Sequence, residues 1–327
     1  MRRPVPRGRS TGEVHGVAER FSAAASSAHP RESSFPELSE ARAQELRQVH
    51  QELDSLVGLQ RVKRLVYELE ALLRVQQERA RFQLANDPLV LHQIFRGNPG
   101  TGKTTVARLL GRLFHALGAL PKGQLVECSR ADLVGEYIGH TAVKTREQVR
   151  KAAGGVLFID EAYALGRGGE RDFGKEAIDT LVKEMEDRRY EFVLILAGYR
   201  EEMDRFLWLN PGLRSRFPLH LDFPDYTVPE LMEIAETMLA QREYVLSAAA
   251  RHKLRLLLEE SARQQEFVFA NARLVRNLVE RAIRRQAVRL AAPGTSIHVA
   301  GRLASGGRRR QELMTIFPQD LTLEDAF

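Results

Sequence analysis

Cysteine and long apolar runs are almost absent from this chain. Cys128 is the single cysteine among 327 residues, so an internal disulfide framework is not possible. No stretch reaches the roughly 18–20 apolar residues of a membrane-spanning helix. The N-terminal residues also lack the apolar segment of a secretory signal. We therefore expect a cytoplasmic protein without a membrane span, in which Cys128 is a small residue in or near a strand.

Evenly spread positive charge is lacking as well. The net charge is +6 and the isoelectric point is near 9.6. Residues 1–10 and 301–310 together hold eight arginines and no acidic residue, so the rest of the chain is slightly acidic. Basic tails can touch RNA, DNA or anionic lipid. We interpret these two segments as solvated tails and do not expect nucleic acid to be the main partner.

The length allows about two domains and a sizeable core. Residues 1–42 are rich in Ser, Ala, Pro and Arg without periodicity, which predicts a basic and mostly disordered extension. Residues 43–225 carry mixed strand and helix patterns, and residues 226–300 carry helical patterns. Residues 301–327 form a basic linker and a short C-terminal segment.

Strand and helix patterns alternate through the first of these domains. Candidate strands lie at 91–96, 124–128, 155–159, 191–197 and 219–222, and candidate helices at 103–117, 141–153 and 174–187. This alternation predicts an α/β fold with a parallel sheet, helices on both faces and ligands at the carboxyl ends of the strands. A possible capping box at Thr227 and Glu230 then opens three helical stretches, which predict a small all-helical second domain.

A glycine-rich stretch between a strand and a helix carries the clearest chemical signal. It fits the phosphate-loop pattern and consists of Gly97, Asn98, Pro99, Gly100, Thr101, Gly102, Lys103, Thr104 and Thr105. The glycines let backbone N–H groups turn toward a phosphate chain, and the following helix points its positive end at the same anion. Lys103 is placed to reach the β- and γ-phosphates, and the Thr104 hydroxyl is placed to ligate Mg²⁺.

An acidic pair follows a buried strand farther along the chain. Residues 155–159 are apolar and end in Asp160 and Glu161. Asp160 would hold the Mg²⁺ directly or through water, and Glu161 would activate the attacking water as general base. Together with Lys103 the pair predicts hydrolysis of a nucleoside triphosphate.

Several further motifs make the chain resemble a known family over about residues 50–300. They read Phe158-Ile159-Asp160-Glu161-Ala162-Tyr163, Gly135-Glu136-Tyr137-Ile138-Gly139-His140-Thr141, Ala197-Gly198-Tyr199, Asn210-Pro211-Gly212-Leu213-Arg214-Ser215-Arg216-Phe217 and Phe223-Pro224-Asp225-Tyr226. With the phosphate loop, these resemble an AAA+ ATPase of the branch that contains red-type Rubisco activases and stage V sporulation protein K. The resemblance implies an AAA+ P-loop NTPase fold, with a five-stranded parallel sheet flanked by helices and a small C-terminal helical lid, and it implies ATP as the nucleotide.

Within this branch, residues 132–226 are more similar to the sporulation proteins, and the Rubisco activase pattern favours proline at the position of Val143. The basic N-terminal extension matches neither pattern.

The resemblance also implies roles at matching positions. Tyr137, with Ile138 and Gly139, matches the loop that projects into the central pore of a ring. Arg216 matches the arginine finger that completes the site of a neighbouring subunit, with Arg214 as the second candidate. A large aromatic side chain between glycines on a mobile loop is physically suited to gripping a polypeptide.

Three more positions complete the implied nucleotide site. Arg273 matches sensor 2, which reads the γ-phosphate at the start of a lid helix. Residues Val57 and Gly58 fall where the family cradles adenine. The chain departs from the family at sensor 1, where a polar residue such as Asn is expected and Tyr199 and Arg200 are both candidates.

The leading hypothesis is a ring-forming ATPase, hexameric by resemblance, that remodels or threads a protein substrate through its pore in spore formation. The alternative within the family is a red-type Rubisco activase. Alternatives from other classes are a nucleic-acid motor, such as a clamp loader or Holliday-junction helicase, and a nucleotide-gated scaffold with little turnover.

Overall fold

Five parallel strands form the central sheet of the computed structural model, which describes residues 40–137, 139–167, 172–263, 270–292 and 306–322. The strands are β1 Gln93–Gly97, β2 Leu125–Cys128, β3 Val156–Ile159, β4 Val193–Gly198 and β5 Leu219–Phe223. Their order across the sheet is β2-β3-β4-β1-β5, with Phe95 of β1 opposite Ala197 and Leu221. The predicted parallel sheet is confirmed, and each predicted strand end lies within two residues of the observed one.

Helices connect the strands and cover both faces of the sheet. They are α1 Glu40–Ser55, α2 Gln60–Arg81, α3 Lys103–Ala116, α4 Arg130–Leu133, α5 His140–Ala152, α6 Gly174–Asp187, α7 Arg200–Leu209 and α8 Pro211–Arg214. The helical pattern before the phosphate loop forms two helices, because Gly58 (φ 62°) and Leu59 (φ 56°) adopt left-handed backbone conformations between them. The predicted extension lies outside the described residues up to residue 39.

Alternate residues of the strands supply two hydrophobic cores. Phe95, Phe158 and Ile195 are buried against α1, α2 and α3 on one face. Ile94 and Leu157 are buried on the other face, against residues of α5, α6 and α7. Because both faces are covered, the inner strands β3 and β4 are continuous apolar runs rather than alternating ones, which is typical of a parallel sheet.

A third core holds the C-terminal helices together. They are α9 Val228–Ala240, α10 Ala248–Arg263 and α11 Asn271–Ala291, and Ile316 and Leu321 join them in this core. A further helix is α12 Gly306–Met314. The predicted capping box is present, since the Thr227 N–H donates to Oε2 of Glu230 at 2.7 Å. The helical lid is confirmed, with one addition: β6 Val245–Leu246 pairs in parallel with β7 Thr315–Ile316. Two-residue strands leave no periodicity in a sequence, so this pairing could not be predicted.

Cys128 ends β2 and is buried, as its interpretation as a small strand residue requires. Burial raises the pKa of its thiol to about 11. The thiol is therefore protonated near neutral pH and lacks the thiolate character of a reactive cysteine.

His92, directly before β1, is buried, and its ring accepts a hydrogen bond from a backbone N–H. His92 is 1% exposed, and its Nδ1 accepts from the Leu194 N–H at 3.0 Å. Its ring centroid lies 5.7 Å from that of Phe192 and 6.1 Å from that of Phe217. Burial among these rings lowers the pKa of His92 from 6.5 to about 4, since desolvation disfavours the imidazolium.

This pKa predicts a pH-dependent loss of stability. Above pH 6.5 His92 is neutral in both the folded and unfolded states. As the pH falls below 6.5 the unfolded state binds the proton first, so the free energy of unfolding should decrease by about 2 kcal/mol between pH 7 and 4.5. His92→Asn keeps an acceptor near the Nδ1 position and removes the titration. Urea unfolding at both pH values should show a correspondingly smaller decrease for this variant, and an equal decrease would contradict the assignment.

Candidate nucleotide-binding site

The glycine-rich loop lies at the carboxyl end of β1 and leads directly into α3. Gly100 (φ 73°) and Gly102 (φ 96°) adopt left-handed conformations that other residues rarely take. The Thr101 hydroxyl donates to the Asn98 carbonyl at 2.7 Å. Nζ of Lys103 donates to the carbonyls of Gly97 and Asn98, both at 2.8 Å, and so places a cation at the loop. Burial lowers the pKa of Lys103, and the Asp160 carboxylate opposes that shift.

The acidic pair follows β3, beside β4, which Tyr199 follows directly. The Asp160 N–H donates to the Cys128 carbonyl at 3.0 Å, and Oδ1 of Asp160 accepts from the Glu161 N–H at 3.0 Å. Glu161 has φ 48°. A left-handed backbone at a residue with a Cβ costs about 1–2 kcal/mol. Such strain is retained where the surrounding structure holds a side chain in a required direction.

One pocket of about 490 Å³ joins these features to the lid. Lys103, Thr104, Asp160, Glu161 and Arg273 line it, and the structure thus brings together residues that lie up to 170 positions apart. Of the predicted loop, Asn98 and Thr101 are not part of this lining, and both act in the loop's own hydrogen bonds. The volume of this pocket falls within the usual range for small-molecule sites.

Apolar residues also line this pocket. They include Val57, Tyr226, Ile234 and Met238, beside the polar lid residues Thr237 and Gln241, and the sequence motifs assigned none of these except Val57 to the site. Gly58 itself is not part of the lining, and its φ of 62° is a backbone conformation that favours glycine. A phosphate loop together with apolar lining residues provides the two kinds of surface that a nucleotide requires.

The structure separates the two candidates for sensor 1. Tyr199 lines the pocket, and its pKa is raised by burial and by the nearby Glu161 carboxylate. Its ring centroid lies 5.8 Å from that of Tyr163, which stands two positions after Glu161. Arg200 instead begins α7 and faces Asp222 at 4.0 Å. Of the two candidates, Tyr199 lines the pocket and Arg200 does not.

Arg216 lies apart from this pocket. Its guanidinium pairs with Glu186 at 2.7 Å and donates to the Gly212 carbonyl at 2.8 Å. Arg214 is exposed at the end of α8. Neither arginine lines the pocket of its own chain.

Tyr137 lies at the tip of the loop between α4 and α5 and is 66% exposed. The base of this loop is held in place, because the Gly135 N–H donates to the Thr141 hydroxyl at 2.9 Å. Gly139 has φ 81°, and no atom lies within 4 Å of where its Cβ would be. Ile138 lies outside the described residues. The loop thus combines an anchored base with an exposed aromatic tip.

Metal ligation by protein side chains alone is not available in the described ranges, where no group of three or more His, Cys, Asp or Glu residues is placed to hold an ion. Mg²⁺ in nucleotide sites needs only one or two protein ligands and takes its other ligands from phosphates and water. Thr104 and Asp160, which line the same pocket, fit that requirement.

Comparison with known proteins agrees with the fold. Residues 93–225 match the pattern of the ATPase family associated with various cellular activities (AAA), and residues 227–326 match the AAA lid domain. The solved AAA domain of FIGL-1 in complex with ADP superimposes with a TM-score of 0.53 at 17% identity, over 81% of this chain and 80% of that chain. This last likeness supports the fold alone.

Three curated relatives are similar over most of their length. Stage V sporulation protein K of Bacillus subtilis (strain 168) is 52% identical over 287 residues, covering 88% of this chain and 85% of the relative. Protein CbbX of Cereibacter sphaeroides is 50% identical, covering 75% and 79%. The chloroplastic ribulose bisphosphate carboxylase/oxygenase activase of Cyanidioschyzon merolae (strain NIES-3377 / 10D) is 46% identical, covering 79% and 88%.

No helix within the described ranges is long and apolar enough to cross a membrane. The nucleotide pocket, the two matched domains and the extent of these similarities lead to one conclusion. The chain belongs to the AAA family of ATPases, with the AAA lid domain, and is related to stage V sporulation protein K and to CbbX.

Proposed function

We propose that the protein is a ring-forming ATPase that uses ATP hydrolysis to remodel a polypeptide drawn through a central pore. The exposed Tyr137 is the observation that carries this proposal. A side chain with 66% exposure contributes little to the core. An aromatic ring on an anchored loop can instead grip polypeptides of varied sequence.

A groove beside the acidic pair supports coupling between hydrolysis and this loop. This groove, of about 560 Å³, is lined by Gly135 and Glu136 of the loop and by Asp160 and Glu161. The acidic pair therefore lies next to the segment that carries Tyr137, so a movement of either carboxylate would occur beside that segment. This adjacency supports transmission of the nucleotide state to the pore loop.

Within the proposed site, Lys103 neutralises charge on the β- and γ-phosphates, and the loop N–H groups bind the phosphate chain. Thr104 and Asp160 would hold Mg²⁺, which would supply charge neutralisation when bound. Glu161 would accept a proton from the attacking water. Tyr199 and Arg273 would contact the γ-phosphate end, and Val57, next to Gly58 in the chain, would border the base.

We assign Arg216 to the site of the neighbouring subunit. It is absent from its own pocket, and its partner Glu186 is 70% exposed, which makes the pair weak enough to exchange for a phosphate. A guanidinium supplied from the next subunit requires a closed ring or a similar assembly. A homo-oligomer, hexameric by resemblance, follows from this assignment.

Removing the Tyr137 ring tests the proposal. Tyr137→Ala should keep nucleotide affinity and basal ATP turnover within about threefold, because the side chain lies outside the pocket. Stimulation of turnover by casein, an unstructured polypeptide, should fall at least about tenfold, whereas Tyr137→Phe should retain it. Tyr190→Ala removes a half-exposed tyrosine elsewhere and serves as control. An undiminished casein response in Tyr137→Ala would contradict the role of this loop.

Spore formation is the proposed setting, supported by similarity to stage V sporulation protein K over 88% of the chain. Rubisco activation is a second candidate, because CbbX and a named Rubisco activase are nearly as similar. Incubation with red-type Rubisco inhibited by its sugar bisphosphate separates the two. We expect no ATP-dependent reactivation, and we expect spore-formation genes rather than carbon-fixation genes beside this one.

A nucleic-acid motor is the proposal's competitor from another class. The acidic remainder of the chain and the aromatic loop favour a polypeptide. ATP turnover should therefore be unchanged by added DNA or RNA, and stimulation by either would favour the motor.

A further inference from the structure

Three separated segments meet at one carboxylate beside the nucleotide pocket. Asp225 lies in the linker between β5 and α9, where the sheet domain joins the lid. Nδ2 of Asn98, in the phosphate loop, lies 2.9 Å from both oxygens of this carboxylate. Nδ2 of Asn271, the first residue of α11, donates to its Oδ1 at 2.7 Å. We name Asn98, Asp225 and Asn271 the hinge clasp.

Asn271 is built into this junction through more than its contact with Asp225. It is fully buried and has φ 48°, a left-handed conformation that asparagine tolerates better than most residues. Its Oδ1 accepts from the Tyr226 N–H at 2.9 Å, and its Nδ2 lies 3.4 Å from the Pro99 carbonyl. The side-chain amide of Asn271 thus contacts both the linker and the phosphate loop.

The backbone of the lid also rests directly on the phosphate loop. The Ala272 N–H donates to the Gly100 carbonyl at 3.2 Å. A Cβ on Gly100 would overlap the Ala270 carbonyl and lie 2.8 Å from the Arg273 nitrogen. The loop and the start of α11 therefore cannot move independently without breaking these contacts.

Arg273 follows the clasp by two residues on α11 and lines the nucleotide pocket. Its charge reaches Lys103, whose pKa it helps to lower. The geometry points to the hinge clasp as a positioning device that sets Arg273 over the phosphate loop. When the γ-phosphate occupies the loop, Asn98 and Asp225 transmit the loop's position to the lid helix. This inference rests on the proposed role of Arg273 at the γ-phosphate.

The chemistry of the clasp requires a carboxylate at its centre. Two amide N–H donors converge on Asp225, and hydrogen bonds to an ionised acceptor are stronger than those between neutral groups. An asparagine at position 225 would place its own NH₂ group against the NH₂ group of Asn98 or Asn271, where no hydrogen bond can form. Asp225→Asn therefore disrupts the clasp with almost no change in volume.

The test measures the affinities of fluorescent ATP and ADP analogues with Mg²⁺ in the full chain carrying Glu161→Gln, so that bound ATP is not hydrolysed. Asp225→Asn should weaken ATP binding about tenfold and ADP binding less than threefold, as should Arg273→Ala. The double variant should be no weaker than Arg273→Ala alone, because non-additivity shows that Asp225 acts through Arg273. Asp87→Asn, an exposed carboxylate outside the pocket, should change neither affinity.

A swap variant guards against simple unfolding. In Asn98→Asp with Asp225→Asn the donor and acceptor exchange places, and the acceptor for Asn271 is kept. This pair should recover at least half of the lost ATP preference, with the same thermal midpoint as the parent.

The possible failures are distinguishable. Loss of ATP preference in Arg273→Ala but not in Asp225→Asn overturns the clasp and leaves the role of Arg273 standing, as does additivity in the double variant. Unchanged preference in both variants overturns the role of Arg273 and the clasp together. Neither result bears on protein remodelling, which is measured separately through Tyr137.

Discussion

Glu161→Gln should lower the rate of ATP turnover by at least about 100-fold while leaving ATP affinity within about threefold of the parent. The side chain lines the pocket beside Asp160 but makes no hydrogen bond to the phosphate loop among the described contacts. General bases contribute roughly 10²–10⁴-fold to rate. Glutamine keeps the size of the side chain and cannot accept the proton. Turnover should be measured by phosphate release at saturating ATP, and affinity by equilibrium binding.

The backbone of Glu161 and a control variant both make this outcome specific to the Glu161 carboxylate. The Glu161 backbone has φ 48°, so the carboxylate is held in its direction at a cost in strain, which is expected of a residue retained for function. Glu201→Gln, an exposed carboxylate on α7, provides the matched control and should turn over ATP normally. Parent-like turnover by Glu161→Gln would remove this residue from the catalytic assignment.

Arg216→Ala should reduce turnover by about 10³-fold, within the range seen for arginine fingers, without weakening nucleotide binding. Binding is preserved because one chain supplies the phosphate loop and the lid residues that line the pocket, whereas an arginine finger acts mainly on charge that develops in the transition state. Arg216→Lys should recover little, since an ammonium lacks the planar donor fork of a guanidinium. Arg214→Ala should retain most of the activity.

Mixing inactive subunits shows where Arg216 acts. Lys103→Ala subunits lack a working phosphate loop but keep Arg216, and Arg216→Ala subunits have the reverse defect. If the site is shared between neighbours, an equal mixture should regain roughly a quarter of parental turnover, because a quarter of randomly formed interfaces are complete. No recovery after confirmed subunit exchange would mean that Arg216 acts within its own chain.

Much of this site could be predicted from the sequence, because the spacing of its motif residues reflects local backbone requirements. The phosphate loop needs left-handed glycines followed by a lysine at the start of a helix, and Gly100, Gly102 and Lys103 meet that need within four residues. Asp160 and Glu161 were identifiable because they follow a short apolar strand. Parallel strands end at one edge of the sheet, so placing both motifs at strand ends also predicted their proximity.

Positions in the site that depend on long-range packing could not be predicted from the sequence. The sequence left sensor 1 open between Tyr199 and Arg200, because adjacent residues differ only in the direction their side chains take at the end of β4. Tyr226 belongs to one of the family motifs, but its position in the pocket depends on how α9 folds back over the sheet domain. The two-residue strands of the lid are likewise recognised only by their pairing.

The sequence alone determined the parallel sheet, the helical lid, the phosphate loop and the acidic pair, since each depends on residues close together in the chain. Only the tertiary structure decided how the lid meets the loop. Asn98, Asp225 and Asn271 are separated by up to 173 positions, and no local pattern marks them as partners. Their hydrogen bonds form because the lid folds back onto the sheet domain, with Tyr226 packed against both cores and the start of α11 bonded to the phosphate loop.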